Sequence, residues 1–592
     1  MSDSSIANNL ITEHIDIWTS TVKTNSASGR GSSKKIDLYG IKKLRELILE
    51  LAVRGKLVPQ DPSDEPASKL LERIAAEKAQ LVKEKKIKKP KALPEISEEE
   101  KPFELPEGWE WVRLGLLGNI FNGNSISARV KEQKYMISEG LPFIATKDVG
   151  YGYSSFDYDN GVKIPIGEEK FKIARKNSIL VCAEGGSAGK KCGIAEQDIC
   201  FGNKLFANEL HCNLDPKFIL FNYLAPYFYT QFSQSMTGII GGIATSKFVE
   251  LLIPISPLPE QHRIVAKVDE LMALCDQLEQ QTESQIEAQQ TLVSVLLETL
   301  STAKSHNELM QNWQRLSEHF DTLFTTEQSI DQLKQTILQL AVMGRLVPQD
   351  PTDEPASKLL ERIAAEKAQL IADKKIKKQK ALPPISDDEK PFELPDGWEF
   401  SYMQDLCYLI TDGTHQTPKY TDSGRPFISA QCVKPFRFMP ENCRYVSEDD
   451  YQGYIKNRKP EIGDILLSRV GAGIGEAALI NTNLEFAIYV STGLLKTYQD
   501  KLSSEYLVVW LNSPLGRSIS EKNTLGKGVS QGNLNLSLIR SFVVSLPPRQ
   551  EQHRIVAKVD ELMAICDQLK SKVNQSQQTQ LHLTDAIVEQ VV

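Results

Sequence analysis

The spacing of apolar residues predicts two long amphipathic helices, one in the middle of the chain and one at its C-terminal end. In each, apolar residues recur at steps of four and three, which is the spacing of a coiled-coil seam on one helical face. A polar stretch interrupts both patterns, and we expect each seam to resume after it. The predicted seam residues are Ile264, Val268, Leu271, Cys275, Leu278, Leu292 and Leu296 in the first helix, and Ile555, Val559, Leu562, Cys566, Leu569, Val573, Leu583 and Ile587 in the second.

The two long helices start with nearly the same sequence. Residues 260–278 read EQHRIVAKVDELMALCDQL, and residues 551–569 differ from them only in having Ile565 in place of Leu274. A longer repeat relates residues 48–111 to residues 337–400, with 51 of 64 positions identical. It predicts a helix that ends near Gly55, a turn with the sequence VPQDPSDEP, and a second helix. Repetition at a fixed offset indicates that the chain is built from two similar halves.

Two unique segments, 112–253 and 401–546, lie between these repeats. Short β-prone runs in them alternate with loops rich in Gly, Asn and Ser. The two segments share no useful identity, yet their features come in the same order. PFIATKDV corresponds to PFISAQCV, and NSILVCAEGGSAGKKCG corresponds to GDILLSRVGAGIGEA. We therefore predict two compact α+β domains with the same fold and different surface residues.

Together these patterns predict an α+β multidomain chain in which two mixed α/β domains are separated by the two long repeated helices. If a two-fold axis relates the halves, the long helices run antiparallel and form a coiled coil, and the molecule is pseudo-two-fold symmetric. The predicted parts are a flexible leader (1–34), an N-terminal repeated helical region (35–103), a first domain (104–256), a central helical region (257–392), a second domain (393–546) and a C-terminal long helix (547–592).

Charge is distributed unevenly along the 592 residues, whose formal net charge is −8. Segment 112–253 has 15 basic and 13 acidic residues, and segment 401–546 has 15 and 14, so they carry +2 and +1 and the remainder carries −11. Phosphate neutralisation supplies most of a protein's non-specific affinity for DNA. A DNA-binding function would therefore take much of its positive charge from a partner.

Composition argues against a membrane or secreted protein. No apolar run approaches the roughly 18 residues of a membrane span, and the N-terminus has neither the basic nor the apolar region of a secretory signal. Nine cysteines without a C-x-x-C spacing predict reduced thiols rather than disulfides. We expect a cytoplasmic protein without a metal site, since its eight histidines are dispersed.

The motifs of familiar catalytic sites are missing from the sequence. The run GGSAGKK (185–191) resembles a phosphate-binding loop, but Glu184 and Lys191 stand where Gly and Ser or Thr are needed. Amino-methyltransferases carry an N/D-P-P-Y/F motif, whereas the paired prolines here read ALPPI and SLPPR. The sequence therefore predicts no catalytic residue in this chain.

Residues 40–592 resemble the specificity subunit of type I restriction–modification enzymes. The resemblance is carried by the order of repeats and unique segments, by the strings LPEGWEW and LPDGWEF, by ITDGTHQTPKY (410–420) and by PLPEQHRIVAKVDEL. It implies that the two unique domains are target recognition domains, each reading one half of a bipartite site in double-stranded DNA. It also implies a subgroup of the family that carries the LAVRGKLVPQDP repeat.

The resemblance further implies a non-catalytic chain that works within a complex. Two methyltransferase subunits would use S-adenosylmethionine to methylate adenine at N6, and two restriction subunits would use ATP and Mg²⁺ for translocation and cleavage. This chain itself would bind no cofactor. The alternatives are a stand-alone DNA methyltransferase or nuclease, which needs motifs that the sequence lacks, and a coiled-coil scaffold that does not bind DNA.

Candidate DNA-binding residues are polar or basic side chains in the loops of the two domains, because such groups can pair with base edges or phosphates. Thr411 and His415 have an alternative role, the bracing of their own turn. Lysine runs at 83–91 and 374–380 are either solvated tails or contacts to phosphates or partners. The DNA-binding candidates are Asn122, Asn124, Lys147, Tyr151, Lys190, Lys191 and Lys247 in the first domain, and Thr411, Asp412, His415, Gln416, Thr417, Arg469, Lys527, Ser530 and Gln531 in the second; the subunit-interface candidates are His262, Arg263, Lys267, His553, Arg554 and Lys558.

Overall fold

The computed structural model describes residues 12–25, 35–87, 89, 91–238, 241–303, 306–522, 524–525 and 532–590. The chain falls into two compact units, the first made of residues 1–285 and 576–592 and the second of residues 286–575. Each unit mixes helices with strands, which confirms the predicted α+β class.

Unit 1 contains the first copy of the long repeat, the first unique domain and the beginning of a 45-residue helix, α8 (Leu258–Thr302). The end of that helix, from residue 286, belongs to unit 2. The other helices of unit 1 are α1 (Ile15–Ser20), α2 (Tyr39–Val53), α3 (Ala67–Lys83), α4 (Ala128–Lys134), α5 (Pro216–Leu224), α6 (Pro226–Gln234) and α7 (Thr245–Phe248); its strands are β1 (Lys23–Asn25), β2 (Lys35–Asp37), β3 (Glu110–Arg113), β4 (Gly118–Asn122), β5 (Leu141–Ile144), β6 (Lys163–Ile164), β7 (Ile173–Ala174), β8 (Ile179–Cys182), β9 (Cys192–Ile194), β10 (Ile199–Phe201), β11 (Leu205–Leu210) and β12 (Leu252–Ile255).

Unit 2 contains the second copy of the repeat and the second unique domain. Its last helix, α18 (Arg549–Glu589), continues from residue 576 as part of unit 1. The other helices are α9 (His306–Ser317), α10 (Phe320–Leu323), α11 (Glu327–Val342), α12 (Ala356–Ala372), α13 (Met403–Leu406), α14 (Glu448–Ile455), α15 (Ser504–Asn512), α16 (Pro514–Lys522) and α17 (Leu536–Arg540); the strands are β13 (Glu399–Tyr402), β14 (Cys407–Asp412), β15 (Arg425–Ile428), β16 (Val433–Lys434), β17 (Arg437–Phe438), β18 (Arg444–Val446), β19 (Ile465–Ser468), β20 (Ala477–Leu479), β21 (Ala487–Ile488), β22 (Thr492–Thr497), β23 (Thr524–Leu525), β24 (Asn533–Leu534) and β25 (Val543–Leu546).

The two unique domains share one sheet plan. Each has a four-stranded antiparallel sheet, in the order β4-β11-β8-β9 in unit 1 and β14-β22-β19-β20 in unit 2. Each also has a second sheet with one parallel pair, β5–β10 or β15–β21, and a two-stranded pair, β3–β12 or β13–β25. The four-stranded sheet, the parallel pair and the two-stranded pair agree in order and direction, although the second sheet has four strands in the first domain and three in the second. The prediction of one fold for two dissimilar sequences is therefore confirmed.

The first helix of each repeat ends where glycine allows a left-handed turn. Helix α2 ends at Val53, and Gly55 follows with a φ of +68°. A Cβ atom at Gly55 would lie 2.6 Å from the Pro106 ring, so the turn also needs the missing side chain. Gly344 repeats this geometry in unit 2 with a φ of +70°. The predicted stop at Gly55 is confirmed.

The prediction of a flexible leader over residues 1–34 does not hold for residues 12–25. Helix α1 places Trp18 at 0% exposure, and strand β1 pairs with β2. A Cβ atom at Gly40 would lie 2.3 Å from the Trp18 carbonyl oxygen, so α1 packs directly on the start of α2. The Thr21 hydroxyl lies 3.0 Å from that of Thr584 at the end of α18. The rest of the predicted leader lies outside the described residues.

The buried stripe of α8 follows the predicted seam only over its first half. The five predicted residues from 264 to 278 are all at most 9% exposed. The polar stretch then continues the stripe, because Thr282 is buried with its hydroxyl donating to the Leu278 carbonyl at 2.7 Å. From Leu278 the covered positions are Thr282, Ile286 and Gln289, at steps of 4, 4 and 3 residues. The buried face is therefore displaced by one residue from the predicted seam. The buried residues are then Val293, Leu297 and Leu300, whereas Leu292 is 50% exposed and Leu296 is half-buried.

Helix α18 shows the same pattern. The predicted seam from Ile555 to Leu569 is buried, Val573 is half-buried and Ile587 is 4% exposed. Leu583 is 44% exposed, and its predicted place is taken by Thr584, which is fully buried. The predictions of Leu292 and Leu583 as seam residues were therefore wrong. The predicted antiparallel pairing of the long helices concerns the placement of one unit against the other, and it stays a prediction.

Candidate nucleic-acid interface

The loops that carry most candidate residues meet at one edge of each four-stranded sheet, which we call the loop edge. In the first domain β4 and β8 end there and β11 and β9 start there, since Asn122 pairs with Phe206 and Val181 with Cys192. In the second domain β14 and β19 end at the equivalent edge, where Asp412 pairs with Gly493. Antiparallel pairing thus brings together loops that are distant in sequence.

A cleft of about 490 Å³ opens at the loop edge of the first domain. Residues 237–238 and 241–245 form one wall, and a hydrogen bond from Ile243 N to the Ala183 carbonyl at 2.9 Å fixes the backbone there. The Lys204 ammonium lies 3.3 Å from the Glu184 carboxylate in the same cleft. The lining residues are Asn122, Ala183, Glu184, Asn203, Lys204, Phe206, Thr237, Gly238, Gly241, Gly242, Ile243, Ala244 and Thr245.

Asn122 and Asn124, two of the candidate readers, are both held by a neighbouring loop. The Lys172 ammonium donates to the Asn122 side-chain oxygen at 3.0 Å. The Asn124 amide donates to the Lys170 carbonyl at 2.9 Å and accepts from Lys172 N at 2.8 Å. Because both the nitrogen and the oxygen of its side-chain amide are hydrogen-bonded, Asn124 stabilises the loop and is not free to contact bases. Asn122 stays exposed.

Four other candidates of the first domain lie together. Tyr151 pairs with Lys191 in an isolated β-bridge, and the Lys191 ammonium is 5.0 Å from the centre of the Tyr151 ring. The same ammonium is 3.4 Å from the carbonyl of Thr146, next to the exposed Lys147. Lys190 is exposed beside Lys191. Lys247, in α7, is exposed and ion-paired with Glu250 at 2.9 Å.

In the second domain the DGTH turn continues β14 at the loop edge. Thr414 N donates to the Ile488 carbonyl at 3.0 Å, and its hydroxyl accepts from Gln416 N at 3.2 Å. The His415 ring lies 3.2 Å from the Asp412 carboxylate, yet its side chain is 72% exposed. Gln416 and Thr417 are also exposed, and Thr411 is half-buried. The turn therefore presents three consecutive polar side chains to solvent.

Two candidates of the second domain are corrected by the structure. Arg469 and Asp412 are each 5% exposed and form an ion pair with one another. Arg469 also donates to the carbonyls of Leu534 at 2.8 Å and Val490 at 2.9 Å. A buried charge is stable only when it is paired and hydrogen-bonded. This pair holds three loops together and is not available to bases.

Lys527, Ser530 and Gln531 lie outside the described residues. Sequence reasoning also missed basic side chains that shape the loop edge. Arg458 donates to the carbonyls of Asp412 at 2.9 Å and Gly413 at 2.7 Å, and thereby pins the DGTH turn. The Lys172 ammonium likewise donates to the Asn122 carbonyl at 2.7 Å, at the start of the loop after β4. Lys204 lines the cleft. Arg458 and Lys172 are more than 40 residues away from their partners, so no local signal marks them.

The start of each long helix is tied to its own domain by a buried glutamate. Glu260, 1% exposed, accepts from the Trp109 indole at 3.0 Å and from the Gln60 amide at 3.3 Å. Glu551 makes the same contacts with Trp398 at 3.0 Å and Gln349 at 3.2 Å. Burial raises the pKa of both carboxyl groups, because it disfavours the ionised form.

This burial predicts a pH dependence of stability. Because folding raises the pKa of Glu260 and Glu551 above 4.5, the folded state binds more protons than the unfolded chain just above that pH. The free energy of unfolding contributed by these groups should therefore fall as pH rises from about 4.5 through the folded pKa values. The double variant Glu260→Gln/Glu551→Gln, which keeps the indole hydrogen bonds, should lose less stability than the native chain between pH 4.5 and pH 8. Urea unfolding at both pH values measures the difference, and equal losses would contradict the assignment.

Four of the six subunit-interface candidates form ion pairs within the chain. Arg263 pairs with Asp64 at 2.7 Å, and Arg554 pairs with Asp353 at 2.6 Å, so both brace the Pro/Asp turn of their repeat. Lys267 and Lys558 pair with glutamates one turn on, at 2.9 and 2.8 Å. His262 and His553 are exposed. The exposed members of this set stay predictions.

Helices α3 and α12 dock against the side of their domain opposite the loop edge. The Lys78 ammonium donates to the Gly115 carbonyl just before β4, and the Glu77 carboxylate accepts from Cys212 N just after β11. Lys367 donates to the Gln404 carbonyl, just before β14. The lysine runs follow these helices, with Lys85 and Lys374 at left-handed φ values of 59° and 57°. The lysine runs therefore lie away from the loop edge, which favours contact with solvent or a partner subunit over contact with bases. Lys88 lies outside the described residues.

Across the parts of the chain that the structure describes, no helix has the length and apolarity that crossing a bilayer requires. The same residues contain no group of three His, Cys, Asp or Glu side chains placed to hold a metal ion.

Comparison with known proteins identifies the family. The model of the type I restriction modification DNA specificity domain matches residues 106–288 and 395–576, one match for each unique domain. The Escherichia coli EcoAI specificity subunit is 43% identical, over 98% of this chain and 99% of its own length, and the Escherichia coli EcoEI specificity subunit is 41% identical over 98% of each. The solved HsdS subunit of Thermoanaerobacter tengcongensis is 18% identical, with a TM-score of 0.41 over 83% of this chain and 98% of that one. The chain therefore belongs to the family of type I restriction–modification DNA specificity subunits.

Proposed function

We propose that this chain is the non-catalytic specificity subunit of a type I restriction–modification complex and that each domain reads one half of a bipartite site in double-stranded DNA. The domain within 104–256 reads the first half-site, and the domain within 393–546 reads the second. One observation carries the proposal: the two domains share a sheet plan and an equivalent loop hydrogen bond, from Asn124 N to Phe201 and from Thr414 N to Ile488, yet they present different side chains at the same loop edge. A common scaffold with a different exposed edge suits the reading of two unrelated sequences.

The exposed groups at each loop edge are suited to base and phosphate contacts. The first domain offers Asn122 and Lys190, with the half-buried Lys191 beside them, and the second offers His415 and Gln416. Asn and Gln can form paired hydrogen bonds with adenine, and Lys with guanine, in the major groove. Backbone contacts from the Gly-rich loops would position the duplex without reading its sequence. The small positive charge of the domains, +2 and +1, fits a chain that binds DNA together with partners.

The partners proposed for the complex are two methyltransferase subunits and two restriction subunits. The methyltransferase subunits would use S-adenosylmethionine to methylate adenine at N6, and the restriction subunits would use ATP and Mg²⁺. The near-identical starts of α8 and α18, with exposed His262 and His553 at equivalent positions, support docking of two identical partners, one for each half of the chain. This chain itself would hold no cofactor, and the complex would act in the cytoplasm.

Footprinting with the reconstituted methyltransferase complex tests this function. We expect two protected half-sites separated by a spacer whose sequence can be changed without loss of binding. Absence of two protected half-sites would favour the scaffold alternative. Methylation of DNA by the purified chain without a partner would instead show a stand-alone enzyme. A complex that lacks this chain provides the control and should protect no specific sequence.

A further inference from the structure

The β16–β17 hairpin of the second domain places a strained aromatic residue at its tip. Phe436 has a φ of +62°, a left-handed conformation that a bulky side chain rarely adopts. Such strain persists only where the surrounding structure imposes it, and it is enriched at binding sites. The Phe436 side chain is 39% exposed. In contrast, Phe438 packs on Phe486 in the domain core, with ring centres 5.2 Å apart.

The tip of this hairpin lies at the loop edge. Phe436 N donates to the carbonyl of Ala477 at 3.0 Å, and Ala477 is the first residue of β20. Ala477 in turn pairs with Leu467, one residue before the end of β19. The hairpin is thereby fixed next to residues 469–476, at the end of the strands where the DGTH turn also lies. Backbone hydrogen bonds hold the aromatic ring at the edge proposed to face DNA.

Cationic side chains flank the ring. Arg437 is exposed, and Lys434 is about half exposed, with its ammonium 3.6 Å from the Glu476 carboxylate. Proteins that deform DNA combine an apolar wedge at a base step with Arg or Lys contacts to the surrounding backbone. Aromatic rings also stack on bases of any sequence, because every base has a π face. The composition of this tip therefore fits a base and its adjacent phosphates.

The first domain also has an exposed aromatic side chain near the start of its fourth strand, although the residue that aligns with Phe436 is Gly152, with a φ of +66°. Tyr151 is 60% exposed and pairs with Lys191, the residue just before β9. Strand β9 corresponds to β20 in the sheet order. Both domains therefore have an exposed ring near the start of their fourth strand, with a cation nearby. GYGYSS and VKPFRF otherwise share no motif.

We propose that the Phe436 ring enters a base step of the second half-site and stacks on a base, while Arg437 contacts a neighbouring phosphate. This inference rests on the proposed function and adds an aromatic contact to it. The ring makes no hydrogen bond to a base edge, so it positions and deforms the duplex rather than reading a particular base. It acts on the second half-site alone, because it belongs to the second domain.

The test uses the assembled methyltransferase complex with Phe436→Gly, Phe436→Tyr and Leu484→Ala. Glycine adopts a positive φ readily, so Phe436→Gly should fold at least as well as the native chain. Its affinity for a duplex that carries both half-sites should fall about tenfold, the amount expected for one lost stacking contact. Phe436→Tyr keeps the ring and should bind within about twofold of the native complex. Leu484, 38% exposed in the loop after β20, is the matched control and should have no effect.

A fluorescent base reports the stacking itself. With 2-aminopurine placed in turn at each position of the second half-site, the native complex should change the fluorescence at one step, and Phe436→Gly should abolish this change. Unaltered affinity and fluorescence in a folded Phe436→Gly complex would overturn the inference while leaving the proposed function intact. Failure of the native complex to prefer the specific duplex would overturn both.

Discussion

Replacing residues 112–253 with the matching segment of the Escherichia coli EcoAI specificity subunit should change one half of the methylated DNA sequence and leave the other half unchanged. The structure explains why this exchange is expected to fold. Val112 of β3 pairs directly with Ile253 of β12, so the chain enters and leaves the exchanged segment at neighbouring positions. The ladder β13–β25 gives the second domain the same closure, with Ser401 opposite Val544.

The readout is methylation-sensitive sequencing of DNA from cells that carry the exchanged chain and its methyltransferase partner. Exchange of residues 401–546 is the matched control and should alter only the other half-site. A change in both halves after a single exchange would contradict the independence of the two domains. An unchanged sequence would contradict the assignment of recognition to residues 112–253.

Arg469→Met should destabilise the second domain by about 3–5 kcal/mol, the usual effect of removing one partner from a buried ion pair. The substitution leaves the Asp412 carboxylate buried without its partner and leaves two carbonyls without their donor. Hydrogen exchange in β14, β19 and β22 should become faster, whereas β4, β8 and β11 of the first domain serve as an internal control. Unchanged protection of β14 would contradict the structural role of Arg469.

A double substitution distinguishes the effect of leaving a buried charge unpaired from the effect of lost packing. The equivalent positions in the first domain are Asn122 and Ala183, so that domain has no ion pair there. The variant Asp412→Asn/Arg469→Met should therefore be more stable than the sum of the two single changes implies, because no unpaired charge stays buried. Additive losses would show that the pair is not coupled.

The fold was predictable wherever local sequence determines structure. The repeat fixed the position of the turn at Gly55, and β-prone runs bounded by Gly and Asn predicted the strands of both domains. Prediction failed where a distant contact decides burial. Trp18 lies in the predicted leader, in which the sequence shows one short amphipathic stretch, yet its burial depends on a contact with α2 that residues 1–34 alone do not reveal.

The same distinction explains the errors in the long helices and at the candidate site. Thr282 continues the buried stripe because its hydroxyl is satisfied by the helix backbone, and Gln289 extends to the Thr322 carbonyl at 2.8 Å. Arg469 was predicted to read bases because of its charge, but its partner Asp412 lies 57 residues earlier in the chain. The DGTH turn was found from sequence because part of its hydrogen bonding is local, between His415 and Asp412 and between Gln416 N and Thr414.

The function proposed for this chain is the selection of a bipartite DNA sequence by two separate domains. Methylation-sensitive sequencing of DNA from cells that carry the native chain with its methyltransferase partner tests it most directly. We expect N6-methyladenine in one motif made of two specific half-sites separated by a spacer of fixed length and free sequence, and loss of this methylation when the chain is deleted. A continuous motif, or methylation that persists without the chain, would contradict the claim.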